Sequence, residues 1–284
     1  MIKLTGEYLF KNDQFIKTDE FRQDIPEDQS VYEVLRVIEG APLFLTEHLN
    51  RLFVSLKLLT LDKPVDFSIL RDLEARIERL IRKNSQKNCN LKIIVTPFDS
   101  DRAVDCYGFF IPSSYPPREY YQTGVDTILY QGIRNNPNAK VYQSDLREAV
   151  AKRLREEGAY EALLVDSRGE ISEGSRSNVF FVKNQTVYTS PPKQVLLGIT
   201  REKILGLLEE NGIECELKEI HQRDLPHMTG AFMTGTSPKV LPLRSIGEYS
   251  YNSASDPVIQ RIMALYQALI EREIRDHQAK KPVK

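Results

Sequence analysis

Glu173-Gly174-Ser175-Arg176-Ser177-Asn178 runs without a break into Val179-Phe180-Phe181-Val182. Glycine between a carboxylate and a serine lets the backbone turn sharply, and the apolar run that follows reads as a buried strand. The acid therefore stands at the mouth of that strand. Taken alone, the stretch is equally a polar loop at a hairpin end. Working upstream, residues 161–166 form a strand and Ser167-Arg168-Gly169 a turn; before them, Asp145 with Glu148 makes a capping-box-like helix start, closed by Gly158. Downstream, Asn184-Gln185 turns the chain into a short strand at 186–189. Thr200 then caps a helix ending near Gly212, a strand follows near 215–220, and Asp256-Pro257 opens a long final helix.

Toward the N-terminus, residues 31–38 (VYEVLRVI) are β-rich, and Glu39-Gly40 turns them into a hairpin-like 41–45. Thr46 is placed to cap a helix whose Leu49, Leu52, Phe53, Leu56 and Leu59 make one stripe, and a second amphipathic helix runs from about 68 to 82. Two apolar runs, 91–96 and 106–111, flank the polar Asp99-Ser100-Asp101-Arg102. Prolines in residues 112–123 favour an extended segment there. The expected organisation is a smaller N-terminal domain at 1–115, a linker at 116–123 and a larger domain at 124–284. Strands grouped with helices, without a sustained βαβ rhythm, give an α+β fold class.

Composition excludes several functions. The 39 basic and 40 acidic side chains leave a formal charge of -1, without the basic excess of nucleic-acid or membrane-surface binders. No apolar run approaches the ~20 residues that span a bilayer, and residues 1–10 carry no signal-peptide pattern. Three scattered cysteines, Cys89, Cys106 and Cys215, lack metal-ligand spacing and read as free thiols, which places the chain in the cytoplasm with no metal.

Four further features carry chemistry. Asn138-Ala139-Lys140-Val141-Tyr142 sets a lysine among small and apolar neighbours just before a helix, and nucleophilic use of its amine requires desolvation or a nearby positive charge. Leu197-Gly198-Ile199-Thr200-Arg201 is a glycine turn into a helix N-terminus, a place for an anion. Thr234-Gly235-Thr236-Ser237-Pro238 is a tight turn rich in hydroxyls and backbone N–H groups. His48 and Arg51, three apart, share a helix face from which a guanidinium can reach a phosphate bidentately. Each has a plain alternative: a solvated lysine, a capped helix, an ordinary turn, a polar helix face.

Their order and spacing together resemble the class-IV aminotransferases, the family of branched-chain and D-amino-acid aminotransferases and aminodeoxychorismate lyases. The resemblance spans roughly residues 31–243. It rests on Tyr32-Glu33-Val34-Leu35-Arg36-Val37, His48-Leu49-Asn50-Arg51-Leu52, Lys140, Glu161-Ala162-Leu163-Leu164-Val165-Asp166, Glu173-Gly174-Ser175 through Phe181, Gly198-Ile199-Thr200-Arg201 and Thr234-Gly235-Thr236. It implies a two-domain homodimer of fold type IV with pyridoxal 5'-phosphate held between the domains. Lys140 would carry the cofactor and shuttle the proton, and Glu173 would pair with the ring nitrogen. Arg51, Ile199, Thr200 and Thr236 would hold the phosphate. Tyr32 would lie on the substrate side, Thr236 and Ser237 would meet the substrate carboxylate, and Arg102 would align with a carboxylate-clamping arginine. The substrates implied are a small amino acid and a 2-oxo acid.

Departures mark the substrate residues. Branched-chain enzymes place a tyrosine a few residues beyond the lysine, where this chain offers only Tyr142, out of register. The Tyr-x-Arg pair of their strand lacks its arginine in residues 91–95, and Val104 stands where D-amino-acid enzymes have a histidine. An aminotransferase, branched-chain in preference, is the leading expectation; a lyase of the aminodeoxychorismate type and a D-amino-acid aminotransferase are the alternatives.

Overall fold

The computed structural model describes residues 2–22, 25–27, 30–59, 68–96 and 104–280. The chain forms two compact units that are not contiguous in sequence: one of Met1–Ser114, Ala139–Gln143 and Ile270–Lys284, the other of Tyr115–Asn138 and Ser144–Leu269.

The first unit is built on an antiparallel six-stranded sheet in the order β2-β1-β6-β5-β3-β4. Its strands are β1 (Thr5–Lys11), β2 (Gln14–Lys17), β3 (Val31–Ile38), β4 (Ala41–Pro42), β5 (Cys89–Val95) and β6 (Cys106–Ile111). Two helices, α1 (Leu45–Leu59) and α2 (Leu73–Lys83), bury their stripes on one face: Leu49, Leu52, Leu56, Ile77 and Leu80 pack with Val31, Leu35, Val37, Leu91 and Ile93. The other face carries Leu9, Tyr32, Ile94, Tyr107 and Phe109. Side chains alternate along a strand, so Tyr32 and Glu33 of β3 point to opposite faces. Glu39 and Gly40, both at positive φ (53° and 78°), make the two-residue turn between β3 and β4.

Local readings shift here. The first helix begins at Leu45 after Phe44 at φ 53°, so Thr46 lies inside the first turn and does not cap it. The second stripe is broken: Ser68–Leu70 is a 3₁₀ turn, and Asp72 at φ 55° separates it from α2.

The second unit holds a mixed ten-stranded sheet in the order β12-β11-β10-β14-β15-β7-β8-β9-β13, with β16 beside β15. Its strands are β7 (Val125–Gln131), β8 (Glu161–Val165), β9 (Glu170–Gly174), β10 (Asn178–Lys183), β11 (Thr186–Thr189), β12 (Cys215–Leu217), β13 (Ile220–His221), β14 (Gly230–Gly235), β15 (Lys239–Ile246) and β16 (Tyr249–Ser250). Its helices are α3 (Arg118–Thr123), α4 (Ser144–Glu157), α5 (Ile199–Glu210) and the first part of α6 (Pro257–Ala279). The proline-rich 112–123 segment is therefore extended only as far as Pro117, which precedes α3 at φ -61°, the angle a helix start accepts. Gly198, not Thr200, is the N-cap of α5. Glu173 lies on a strand of its own, β9, because β9 pairs with β8 and β13 although its sequence is mostly polar.

Candidate active site

In the first unit, Lys140 is fixed by its backbone. Its N–H donates to Ser55 Oγ of α1 at 3.1 Å, its carbonyl accepts the Tyr32 N–H at 3.1 Å, and the Tyr142 N–H donates to the Ser30 carbonyl at 3.0 Å. Val31 and Val141 complete this short antiparallel bridge. The lysine is thereby tied to the head of β3 and to the side of α1, with its amine 4.7 Å from the centre of the buried Tyr32 ring. Tyr142 meets Tyr32 edge-on, with centroids 6.1 Å apart. Lys92 of β5, also buried, holds its ammonium 5.4 Å and 5.2 Å from those two rings and pairs with Glu27.

Across the sheet, Glu33 is fully buried and accepts three charge-assisted bonds at 2.7 Å: from Arg51 Nε on Oε1, and from Arg51 Nη2 and His48 Nδ1 on Oε2. Burial drives the carboxyl upward, but the charge of Arg51 and the bonds from Arg51 and His48 outweigh it and hold it at about 2. Burial pushes the His48 imidazole below its usual value against the pull of Glu33. The neutral ring must then carry its proton on Nδ1, the nitrogen that faces the carboxylate.

In the second unit, Glu173 is 2% exposed and held at both oxygens. Arg134 Nε donates to Oε1 at 3.0 Å, while the Leu196 N–H and Asn178 Nδ2 reach Oε2 at 3.1 and 3.3 Å. Arg134 Nη2 also donates to the Ser175 carbonyl, and Asn178 Nδ2 to the Leu196 carbonyl. Asn178 thus links β9 to the turn before α5. Gly198 in that turn cannot carry a side chain, because a Cβ would fall on Asn178 Oδ1. The N-terminus of α5 has no side-chain cap; Ile199 and Thr200 stand there buried, and Tyr266 of α6 bonds the Thr200 hydroxyl at 3.4 Å. Thr234 pairs with Asn178 across β14 and β10, which sets Thr236 and Ser237 in the half-buried hairpin turn just beyond. The buried Glu161 steadies the other side, accepting from Ser175 Oγ (2.6 Å), Ser177 Oγ (3.0 Å) and the Ala162 N–H (2.8 Å).

Of the residues singled out from sequence, the first unit brings together Lys140 and Tyr32 on one side of β3 and Arg51 with His48 on the other. In the second unit Asn178 bonds Glu173 and abuts the turn that leads to Ile199 and Thr200, while Thr236 and Ser237 follow the strand paired with it. Arg102 lies outside the described residues. Sequence reasoning passed over Glu33, Arg134 and Glu161. A charged residue in an apolar strand, as in Val31-Tyr32-Glu33-Val34-Leu35, was the signal available for Glu33; Arg134 sits in a polar loop that offers none.

Residues 30–246 match the model of the family described as amino-transferase class IV. The chain belongs to that family. Among the relatives of this aminotransferase, a D-alanine aminotransferase of Bacillus licheniformis is 30% identical over 256 residues, covering 86% of this chain and 88% of the relative. The branched-chain-amino-acid aminotransferase of Escherichia coli K12 is 28% identical and covers 95% of both chains. A crystal structure of the Escherichia coli branched-chain enzyme superposes with a TM-score of 0.81 at 25% identity, covering 93% of this chain and 95% of that one. The branched-chain amino acid aminotransferase of Thermobaculum terrenum in its PLP-form gives 0.82 at 20% identity, covering 95% of this chain and 96% of that one, a likeness of fold. The class IV aminotransferase is thus an enzyme that moves an amino group between an amino acid and a 2-oxo acid, and the lyase and D-amino-acid alternatives are not favoured. No helix among the described residues is long and apolar enough to cross a membrane.

Proposed function

We propose that this aminotransferase uses pyridoxal 5'-phosphate carried by Lys140, with an apolar, branched-chain amino acid as preferred donor. The observation that carries the reading is the double anchoring of Lys140, whose backbone is bonded to both β3 and α1 while its amine faces an aromatic ring. A nucleophilic amine acts on a fixed target only if its stem is fixed. The donor sets fit the group. The uncapped α5 N-terminus at Ile199, with the hydroxyls of Thr200 and Thr236, suits a phosphate, as does the guanidinium of Arg51. Glu173, which accepts from Arg134 and two N–H donors, suits a protonated ring nitrogen.

When bound, this cofactor draws electrons away from the substrate Cα and so lowers the cost of removing its proton. The Lys140 amine, released when the substrate's own amine takes its place on the cofactor, would take the Cα proton as general base and give it back as general acid. Glu173 holds the proton on the ring nitrogen. Tyr32 would border the substrate side chain, on a face whose Ile94, Tyr107 and Phe109 favour an apolar group, and the Thr236-Ser237 turn would meet the substrate carboxylate. The working enzyme is taken to be a homodimer, from its family, and cytoplasmic, from its three scattered cysteines.

The purified protein with pyridoxal 5'-phosphate is expected to show a near-visible absorbance band that borohydride abolishes, leaving the label on Lys140. A protein that stays colourless with added cofactor refutes the reading. A donor panel with 2-oxoglutarate is expected to rank leucine, isoleucine and valine above D-alanine and acidic donors; the reverse order refutes the substrate assignment.

A further inference from the structure

We infer that Glu33 is a positioning residue that sets the Arg51 guanidinium for the phosphate end of the cofactor, so that the enzyme's preference for a phosphorylated ligand depends on a carboxylate that never touches it. The inference rests on the assignment of Lys140 and Arg51 made above.

Two observations meet in it. The first is the geometry of the pair. Glu33 engages one edge of the guanidinium, Nε and Nη2, through both of its oxygens, a two-point contact that fixes the plane of the group as well as its place. The guanidinium carries five N–H donors in a fixed plane, and this contact engages Nε and Nη2. His48 Nδ1 closes on the same carboxylate and leaves it no freedom to turn. The second observation is where the pair stands. His48, Arg51 and Ser55 are spaced three and four apart on α1 and so follow one side of the helix, and Ser55 is the residue that accepts the Lys140 N–H. Glu33 is next in sequence to Tyr32, whose N–H binds the Lys140 carbonyl. The same two elements therefore fix the amine that takes the aldehyde and the cation that takes the phosphate, and Glu33 is the bond that closes this frame on the cation side.

Stability alone does not call for such a cluster. A buried ion pair is often replaced by apolar residues of similar volume at no cost, and the face around Glu33 is otherwise Val31, Leu35, Leu52 and Leu56. A long, many-jointed arginine gains most from a partner that selects one rotamer before the ligand arrives.

The test compares two probes on the cofactor-stripped full-length protein: pyridoxal 5'-phosphate and pyridoxal, which lacks the phosphate. Binding is read by absorbance titration and by borohydride labelling of Lys140. Wild type is expected to prefer the phosphorylated probe strongly. E33Q, which keeps shape but not charge, is expected to lose about tenfold or more of that preference, since a charge-assisted pair is roughly twice as strong as a neutral one. Its affinity for pyridoxal itself should stay within about threefold, because the Lys140 anchors are intact. E33D, too short to reach both nitrogens, should fall between, and it decides the matter if E33Q does not fold. Equal losses for both probes, or an unchanged ratio in the Glu33 variants while R51A collapses it, overturn the inference. An unchanged ratio in R51A refutes the phosphate assignment of Arg51 instead, and absence of label at Lys140 in wild type refutes the lysine.

Discussion

A carboxyl group that leaves water ordinarily gives up its charge, yet Glu33, with no exposure, is held at about 2 by Arg51 and His48. The unfolded chain takes up this proton near the ordinary 4.5 and the folded chain near 2. The stabilisation is therefore complete above 4.5, about 3 kcal/mol in size, and drains away as pH falls toward 2. His48 adds to the same trend from higher pH. Its folded value lies below 6.5, so below 6.5 the unfolded imidazole binds a proton that the folded one refuses, and stability declines. Denaturation in urea from about pH 7.5 downward is expected to show this decline in wild type and a shallower one below pH 6.5 in H48Q. Stability that rises on acidification from 7 to about 5 contradicts the His48 assignment, and stability that does not decline below about pH 4.5 contradicts that of Glu33. In the second unit the pair to test is Arg134 with Glu173. R134A strands a buried carboxylate and should cost about 3–5 kcal/mol, along with a fall in kcat. E173A should still accept the cofactor label at Lys140 while turnover drops about a hundredfold or more, the size expected for loss of a positioned acid–base partner. Near-normal turnover in E173A removes Glu173 from the chemistry.

Helix α5 contains two glycines with opposite demands. Gly198 at its N-cap abuts Asn178 Oδ1, so a methyl group there displaces the amide that bonds both Glu173 and the Leu196 carbonyl. Gly206 lies mid-helix, where an added methyl group meets nothing within 4 Å beyond the helix's own backbone. G206A is expected to stabilise by about 0.5–1 kcal/mol, through helix propensity alone. G198A is expected to destabilise by about 1–3 kcal/mol and to weaken cofactor binding. Equal signs for the two, read from denaturation midpoints, contradict the packing around Asn178. Elements of this kind differ in how much of themselves they write into sequence. β3 and β10 are legible because apolar side chains dominate Val31–Ile38 and Asn178–Lys183. β9 is not: Glu170-Ile171-Ser172-Glu173-Gly174 has one large apolar residue, and its strand state comes from pairing with β8 just before it and with β13 far along the chain. The start of α5 is misplaced by the same logic, since Thr200 is a good cap in isolation while Gly198 is demanded by a side chain about twenty residues away. Motif order could place Lys140 and Glu173, but nothing local in either segment announces Ser55 or Arg134 as the groups that hold them.

The two units divide the chain in a way that no single cut reproduces. Lys140 belongs to the first unit through residues 139–143, although the segments on either side of it, 115–138 and 144–269, belong to the second. Helix α6 is likewise shared: Ile259, Ile262, Tyr266 and Leu269 are buried in residues assigned to the second unit, whereas Ile270 and Ile274 are buried in the stretch assigned to the first. That stretch also carries His277, 3.5 Å from Glu78 of α2, and Gln278, 3.2 Å from Glu39 in the β3–β4 turn. A chain ending at Leu269 therefore keeps every residue proposed to touch cofactor or substrate and still lacks part of the first unit. Each buried isoleucine contributes about 1.5–3 kcal/mol, so the shortened chain should lose about 3 kcal/mol or more, while the two ion-pair and amide contacts, being surface-exposed in part, add little. The first unit also holds the Ser55 and Tyr32 anchors of Lys140, so its loosening should reach the cofactor. The shortened protein is expected to melt at lower temperature and to bind pyridoxal 5'-phosphate more weakly, with I270A and I274A each reproducing part of the loss. Unchanged melting and unchanged cofactor affinity in the shortened chain would show that the last helical turns stand outside the core that fixes Lys140.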